Sequence, residues 1–296
     1  MRPFVDSGEA PLSRQQIGRQ AATGGKHAYA TLVTNEEYGR GALALVRSLR
    51  WTGTETPVLV LATQEAEHLD ALEREGCRIV PVEQPAVSAA FRERHSREAL
   101  HRAAPFNKGN KPAFHDPVDN FCKLELWKLE NFDKIVFLDA DSVVVKPIDM
   151  LFGFPEFAGA PNLYETLADF HRLNSGIFVA EPSRATYDRL IERLDRPGLF
   201  WRRTDQTFLE TFFPDWHKLP YTFNTMQYVY FNLPELWVWK SIRVVHYQYE
   251  KPWSAENPKR HLLGPVIDLW WRMFEGKAPP DDLPVQPPDH ARDLTA

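Results

Sequence analysis

The stretch KIVFLDAD at residues 134–141 decides the fold class of this 296-residue chain. Residues 135–138 form a continuous apolar run, typical of a strand that is buried on both faces of a parallel sheet. Residues i and i+2 of an extended chain project to the same side, so Asp139 and Asp141 converge while the small Ala140 leaves the backbone open to a ligand. Oxygen ligands of this kind suit Mg²⁺ or Mn²⁺, although an isolated Asp-x-Asp pair also occurs in plain strand-ending turns.

Similar apolar runs alternate with helical patterns on both sides of this stretch. The runs are HAYATLVT (27–34), TPVLVLAT (56–63), CRIVPV (77–82), SGIFVA (175–180) and IRVVHY (242–247). Helical patterns are predicted over 36–49, 120–132, 183–194 and 204–213. This alternation predicts an α/β fold whose mostly parallel central sheet is covered by helices on both faces, and ligands in such sheets bind at the carboxyl ends of the strands.

The folded part is expected to be one domain over 26–276. Residues 1–25 are polar and aperiodic, which predicts a disordered tail, and the Pro- and Asp-rich residues 277–296 are expected to be a second tail with no core to join. Residues 84–120 interrupt the alternation with a basic helical stretch and a long loop. Loops of that length usually carry function, so this insert is a candidate lid or acceptor wall.

Composition excludes several classes of protein. With 35 Lys+Arg against 40 Asp+Glu, the net charge of −5 argues against a nucleic-acid-binding protein. No apolar run approaches the ~18 residues of a membrane helix, and the start has no signal-peptide core, so we expect no transmembrane segment and a cytoplasmic protein. Cys77 and Cys122 have no metal-ligand spacing. Phosphate-loop, dinucleotide-binding, serine-hydrolase and zinc-protease motifs are absent.

Two residues near the last predicted strand could complete a cation site. His246 on an apolar strand could supply a third metal ligand, and Lys251, held by Pro252, could meet a diphosphate. Taken singly, each has a plainer explanation, since His246 could be a core histidine and Lys251 a solvated lysine.

Three further positions also have two explanations each. Asn174 and Ser175 could hydrogen-bond sugar hydroxyls or form a plain turn. Asp205 follows Thr204, so a helix N-cap with an acidic first turn would explain it without any ligand. Tyr38 could stack on a base or pack a loop.

Together and in this order, these motifs resemble glycosyltransferase family 8, the glycogenin and galactinol synthase group of retaining enzymes. The resemblance covers roughly 27–253 and rests on TLVTNEEYGRGALALVRSL, VLVLAT, KLELWKLENFDKIVFLDADSVV, LNSGIFV, TDQTFLETFF and HYQYEKPW. It implies a GT-A type nucleotide-diphospho-sugar transferase fold, with a nucleotide-binding half at 26–150 and a sugar and acceptor half at 151–276. It also implies a UDP-sugar donor, Mn²⁺ or Mg²⁺ as cofactor, and transfer of a hexose, glucose or galactose, to a hydroxyl acceptor with retention.

The resemblance assigns roles position by position. Metal ligands are implied at Asp139, Asp141 and His246. Donor-binding residues, the first four of them forming the uridine pocket, are implied at Leu32, Thr34, Asn35, Tyr38, Lys123, Asp139, Ala140, Asp141, Asn174, Ser175 and Lys251. Catalytic roles are implied for Asp205, Gln206 and Lys251.

Departures from the family pattern leave alternatives open. Tyr249 stands where relatives commonly have a glycine close to the diphosphate. Phe231 occupies the position of the tyrosine that glycogenin glucosylates, so we predict a separate acceptor unless Tyr230 or Tyr228 substitutes. A non-catalytic UDP-sugar-binding protein is the first alternative, and a sugar-nucleotide pyrophosphorylase is the second. A homodimer through Trp237, Trp239, Trp270 and Trp271 is also possible, as is a core role for these residues.

Overall fold

The computed structural model describes residues 25–66, 69–99, 111–196, 198, 200 and 205–285. The helices and strands in chain order are β1 (His27–Val33), α1 (Glu36–Trp51), β2 (Val58–Ala62), α2 (Leu69–Arg74), β3 (Arg78–Pro81), α3 (Ala89–Arg94), β4 (Lys134–Leu138), β5 (Ser142–Val144), β6 (Ala158–Pro161), β7 (Leu173–Ala180), α4 (Arg184–Leu194), α5 (Asp205–Phe212), β8 (His217–Lys218), β9 (Thr225–Met226), α6 (Val229–Asn232), β10 (Val244–His246) and α7 (Arg260–Phe274). The expected N-cap Thr204 and nearly all of the expected tail at 1–25 lie outside the described residues.

The central sheet has seven strands in the order β3-β2-β1-β4-β7-β6-β8. Strands β3, β2, β1 and β4 run parallel, β7 is antiparallel to both of its neighbours, and β8 is parallel to β6. The prediction of an α/β fold with a mostly parallel sheet is therefore confirmed. Because β4 ends at Leu138, the Asp-x-Asp pair emerges at the carboxyl edge in the middle of the sheet.

Helical segments cover both faces of this sheet. On one face, Ala42, Leu45 and Leu49 of α1 pack on Val58 and Val136 of the strands. The opposite face is covered by α4, α5 and the 3-10 segment Asp119–Lys128. Because apolar helical segments cover both faces of the sheet, the side chains on both sides of each strand are apolar. The strands therefore appear in the sequence as continuous apolar runs.

The expected helix over 120–132 is a 3-10 segment, Asp119–Lys128. Phe121, Leu124 and Trp127 are all buried in it. Three-residue spacing places side chains above one another in a 3-10 helix, so this stretch presents a single aromatic and aliphatic ridge to the sheet.

A second sheet of three strands, in the order β5-β10-β9, adjoins the site. It joins β5, which follows the Asp-x-Asp pair, to β10, which carries His246. Helix α7 and the aromatic C-terminal segments pack around it, burying Trp237, Trp239 and Trp270, while Trp271 remains 37% exposed. Three of the four tryptophans considered for a dimer surface therefore belong to the core.

The segment 277–285 differs from the expected tail. The indole nitrogen of Trp237 donates to the carbonyl of Leu283 at 2.9 Å, and that of Trp239 donates to the carbonyl of Pro280 at 3.1 Å. Leu283 itself is buried in the apolar cluster around the three-stranded sheet, together with Trp237 and Trp239. Proline-rich chain lacks regular structure, but its free carbonyls suit buried indole N–H groups, which need an acceptor.

Both cysteines, Cys77 and Cys122, are free and buried. None of the described helices has the length and apolar character needed to cross a membrane.

Candidate active site

Two carboxylates and one imidazole form a compact group at the centre of the carboxyl edge. One ligand atom from each of Asp139, Asp141 and His246 lies within 4.8 Å of the others. The Nε2 atom of His246 is 3.1 Å from Oδ1 of Asp141 and 4.0 Å from Oδ2 of Asp139. Two carboxylate oxygens and an imidazole nitrogen are a donor set that suits Mn²⁺ or Mg²⁺, so these residues form a candidate metal site.

A chain of amides determines which nitrogen of His246 faces the carboxylates. The backbone N–H of Gly176 donates to Oδ1 of Asn174 at 2.9 Å, which identifies that atom as oxygen. Asn224 Nδ2 donates to the same oxygen at 2.8 Å, so Asn224 turns its own Oδ1 toward Nδ1 of His246, 3.0 Å away. Nδ1 of His246 therefore donates to Asn224, and Nε2 is the ring nitrogen that faces the carboxylates and could bind a metal with them.

Glycine is required where β7 passes this histidine. A Cβ on Gly176 would lie 2.4 Å from the His246 ring, a distance that real side chains do not reach. Likewise, a Cβ on Gly41 of α1 would lie 2.7 Å from the carbonyl oxygen of Ala140. These two glycines let a strand and a helix approach the metal-site residues from both sides.

Lys123, the lysine expected near the donor sugar, bridges Asp139 of the candidate metal site and Asp205. Its Nζ lies 3.0 Å from Oδ1 of Asp139 and 2.7 Å from Oδ2 of Asp205, and only 2% of its side chain is exposed. Ser175 donates to the same Asp205 oxygen at 2.6 Å. Burial opposes the charge on Lys123, but the two carboxylates outweigh it and raise the pKa of this lysine above its ordinary value. The contacts with Lys123 and Ser175 therefore fix the orientation of the Asp205 carboxylate. A favourable interaction with the dipole of α5 would not fix it.

Asp141 and Asp139 have different protonation preferences. Burial opposes ionisation of Asp141, yet the contacts with Lys251 and His246 hold its pKa well below the ordinary value. Burial raises the pKa of Asp139, which Lys123 offsets only in part. Lys251 is 2% exposed, pairs with Asp141, and donates to the carbonyl of Tyr247 at 2.9 Å.

One continuous cavity opens over these groups. The predicted residues that line it are Leu32, Thr34, Tyr38, Asp139, Ala140, Asp141, Asn174, Ser175, Asp205, Gln206 and His246. Three predicted residues are not among those that line the cavity, namely Asn35, Lys123 and Lys251. Asn35 caps α1 by accepting from the Tyr38 amide and donates to the carbonyl of Phe114 at 3.1 Å. Asn174 and Ser175 lie inside β7 and not at its entry.

Five cavity residues escaped sequence reasoning: Lys111, His115, Asn120, Tyr164 and Gln248. Lys111, His115 and Asn120 lie in the insert at 84–120. The sequence signal for a functional role there was the lack of apolar periodicity in the loop. The guanidinium of Arg97 donates to the carbonyls of Lys111 and Pro112 and so holds this loop against the site. Of the other basic residues in the insert, Arg92 and Arg94 lie in α3, and Lys108 is outside the described residues.

The insert brings two titratable groups to the cavity. Burial, together with repulsion from Lys251, lowers the pKa of Lys111 to about 8. Burial and the neighbouring lysines hold the pKa of His115 well below its ordinary value, so its ring is neutral, and its Nδ1 lies 2.9 Å from the hydroxyl of Tyr38. Tyr38 is thereby fixed in the cavity wall.

Tyr249 has a left-handed backbone with a φ of 64°. Glycine adopts this conformation without cost, whereas other residues are strained in it. The side chain of Gln227 holds the turn by donating to the carbonyls of Gln248 and Glu250 at 2.6 and 3.0 Å. Tyr249 therefore keeps the backbone conformation that a glycine would favour. Its ring centre lies 5.9 Å from that of Tyr164 and 5.5 Å from that of Tyr228.

The sheet order and the acidic site at its carboxyl edge define a glycosyltransferase fold of the GT-A type. Among solved structures, the chain is similar to glycosyltransferase GlyE of Streptococcus pneumoniae TIGR4, with a TM-score of 0.59 and 15% identity over 84% of this chain and 60% of that one. It is also similar to the galactosyltransferase LgtC, with a TM-score of 0.54 and 13% identity over 90% and 99% of the two chains.

The chain belongs to glycosyl transferase family 8, whose model matches residues 30–257. Its curated relatives include human glycogenin-1, 30% identical over 83% of this chain and 71% of the relative. Galactinol synthase 1 of Ajuga reptans is 26% identical over 89% and 86% of the two chains. The chain spans only 41–44% of the length of matching Arabidopsis thaliana proteins named for UDP-glucuronate:xylan α-glucuronosyltransferase activity.

Proposed function

We propose that this protein transfers a hexose, glucose or galactose, from a UDP-sugar to a hydroxyl group of a separate acceptor, with retention at the anomeric carbon and with a divalent metal. One observation carries the proposal. The candidate metal ligands Asp139, Asp141 and His246 share a single cavity with Ser175 and Asp205 at the carboxyl edge of the central sheet.

The charges around the cavity suit a leaving nucleoside diphosphate. When bound by Asp139, Asp141 and His246, Mn²⁺ or Mg²⁺ would supply positive charge to the departing phosphate. Lys251 and Lys111 add two ammonium groups. The Lys251 Nζ lies 5.9 Å from the ring centre of Tyr38, and the Lys111 Nζ lies 5.9 Å from that of Tyr249. When a bound donor excludes water from the cavity, these charges stabilise the leaving group more than they would in bulk solvent.

The transferred sugar is assigned to the β7 and α5 side. Asn174, Ser175, Asp205 and Gln206 line this side. Asn174 accepts from the Gly176 amide, and Ser175 donates to Asp205. Such rigid polar groups can distinguish sugars by the configuration of their hydroxyls. A sugar that leaves a buried polar group without a hydrogen bond loses more binding free energy than one that fits an apolar pocket poorly. Asp205, held by Lys123 and Ser175, is the carboxylate that we assign to the reacting face of the sugar.

A separate acceptor is supported by the surroundings of the tyrosines near Phe231. The Tyr230 hydroxyl donates to the carbonyl of Pro284 at 3.0 Å. Tyr228 is fully buried, and its hydroxyl donates to Glu250 at 2.5 Å. Neither oxygen is placed to attack a sugar. Incubation with UDP-glucose should therefore leave the intact mass unchanged, and added masses of whole hexoses would contradict this part of the proposal.

UDP release from a panel of UDP-sugars, with and without Mn²⁺, tests the proposal. We expect one donor to be hydrolysed slowly and only with the metal. Asp141→Asn should abolish this release, whereas Asp188→Asn, which alters an exposed pair with Arg184 on α4, should leave it unchanged. Thermal unfolding of both variants shows whether the fold survives. Metal-dependent release by Asp141→Asn would refute the metal assignment.

Other outcomes of the same assay separate the alternative functions. Tight binding of UDP-sugars without any turnover would favour the non-catalytic binding protein, whose motivation is the ring of Tyr249 beside the cavity. Formation of UTP from a UDP-sugar and pyrophosphate would favour the pyrophosphorylase.

A further inference from the structure

Each carboxylate of the candidate metal site is paired with a buried lysine. Nζ of Lys123 lies 3.0 Å from Oδ1 of Asp139, and Nζ of Lys251 donates to Oδ2 of Asp141. Both lysine side chains are only 2% exposed, so salt screens these pairs far less than it screens pairs at the surface. Each ammonium group therefore acts strongly on the carboxylate that it contacts.

The ammonium groups at the site match these carboxylates in number. Three carboxylates and three ammonium groups that lie in or directly behind the cavity are those of Asp139, Asp141, Asp205, Lys111, Lys123 and Lys251. The net charge of this group of six is zero when all of them are ionised. A divalent metal therefore meets a neutral group and not an anionic one, which weakens its attraction to the ligands.

Asp141 is the candidate ligand whose two oxygens are both engaged. Its Oδ1 lies 3.1 Å from Nε2 of His246, and its Oδ2 accepts from Lys251. The ammonium group of Lys251 is itself held in place, because its Nζ also donates to the carbonyl of Tyr247 at 2.9 Å. A metal bound by Asp141 would share this carboxylate with an ammonium group that the backbone fixes beside it.

We propose that Lys251 lowers the affinity of the site for a divalent metal, so that tight binding of the metal requires the diphosphate of a donor, an inference that rests on the proposed transferase function. The ammonium group already neutralises much of the charge of Asp141, and it repels a second cation directly. A diphosphate supplies the negative charge that is missing. Lys251 acts through Asp141, as a positioning residue, and needs no contact with the metal.

Calorimetric titration with Mn²⁺ in the absence of nucleotide tests the proposal. Lys251→Met removes the ammonium group and should bind Mn²⁺ about tenfold more tightly than the unaltered protein does. The same variant should bind UDP more weakly without metal, because a cation near the cavity is lost. Opposite changes for a cation and an anion indicate an electrostatic effect, since a damaged fold would weaken both. Unchanged or weaker binding of Mn²⁺ by Lys251→Met would overturn the proposal.

Two further variants separate the contact with Asp141 from the total charge of the protein. Lys251→Arg keeps the charge and should bind Mn²⁺ as weakly as the unaltered protein. Lys259→Met is the matched control, because Nζ of Lys259 lies 3.9 Å from Oε1 of Glu250, which is not a candidate metal ligand. Its affinity for Mn²⁺ should be unchanged. An equal gain in Lys259→Met would assign the effect to total charge and would contradict the proposal.

Titration with Mn²⁺ in the presence of UDP separates this proposal from the proposed function. We expect the unaltered protein to bind the metal under these conditions, since the diphosphate supplies negative charge. A lack of binding would refute the metal assignment on which the proposed function depends. Binding with UDP, but no gain in affinity in Lys251→Met without UDP, would overturn only the role of Lys251.

Thermal unfolding supplies a second readout that does not depend on activity. Lys251→Met leaves Asp141 without its ammonium partner, so it should unfold at a lower temperature than the unaltered protein when no metal is added. At one fixed concentration of Mn²⁺ the unfolding temperature should rise more in the variant, because tighter binding stabilises the fold more. If Lys251→Met does not fold, Lys251→Gln replaces it, since its amide removes the charge but can still donate to Asp141. An equal or smaller rise in the variant would contradict the proposal.

Discussion

His246 Nδ1 lies 3.0 Å from Oδ1 of Asn224, and this hydrogen bond leaves Nε2 of the histidine directed at the two carboxylates of the candidate metal site. The direction of the bond is set by the backbone amide of Gly176 through Asn174. A main-chain group that touches no metal thus determines which imidazole nitrogen is available for one.

Replacing Asn224 should weaken metal binding without removing a metal ligand. We expect Asn224→Leu to lower the affinity for Mn²⁺ about 10- to 100-fold, the usual effect of losing a partner behind a ligand histidine. Asn224→Asp still accepts the Nδ1 proton and should retain more of the affinity. Calorimetric titration with Mn²⁺ in the presence of UDP measures both. Equal affinities for the two variants would show that the tautomer is set elsewhere.

Removing Lys123 should destabilise the fold strongly. Lys123→Met leaves the buried carboxylate of Asp205 without its cation, and breaking a buried pair from one side costs about 3–5 kcal/mol. Lys128→Met is the control. Lys128 is 39% exposed in its pair with Glu125, so its replacement should cost less than about 1 kcal/mol. Urea unfolding at neutral pH compares the two. A similar small loss in both would mean that Asp205 does not depend on Lys123.

At position 249 we expect the usual order of glycine and alanine to be reversed. Both Tyr249→Gly and Tyr249→Ala lose the aromatic ring, so the difference between them isolates the left-handed backbone. Glycine carries no penalty there, whereas alanine does, so Tyr249→Gly should be more stable by about 1 kcal/mol. Chemical unfolding of the pair measures this difference. A more stable alanine variant would show that the turn relaxes to another conformation.

UDP binding should weaken as the pH rises through about 8. Burial and repulsion from Lys251 lower the pKa of Lys111 to about 8, so this lysine is charged below that pH and neutral above it. A neutral lysine no longer attracts a diphosphate. His115 is neutral throughout this range because its pKa is held well below the ordinary value. UDP affinity measured with Mg²⁺ from pH 7 to 9 should fall in the unaltered protein and stay flat in Lys111→Met. A parallel fall in both would assign the titration to another group.

Only the two carboxylates of the candidate metal site follow from a local pattern in the sequence. Asp139 and Asp141 follow an apolar strand with a spacing of two, so the convergence of their carboxylates is predictable. His246 lies in the separate three-stranded sheet, and only the family resemblance placed it beside them. The amides behind them are not predictable in this way. The contact between Asn224 and His246 arises from the meeting of β10 and β9, and no sequence period encodes it.

Other features carry weak or misleading local signals. Helix α7 contains Gly264 and Pro265, which interrupt a helical pattern, and its N-terminus has no side-chain cap. The proline-rich segment that receives the bonds of Trp237 and Trp239 has the composition of a tail. Gln248 lines the cavity but belongs to no sequence motif that would have indicated it.

The small sheet has a consequence for the order of events during synthesis. Its strand β5 follows the Asp-x-Asp pair directly, whereas its partners β9 and β10 come much later in the chain. A ribosome therefore releases both carboxylates well before it makes the histidine. The nascent chain can begin to form its parallel strands early, but its three candidate metal ligands cannot meet until the last strand has emerged.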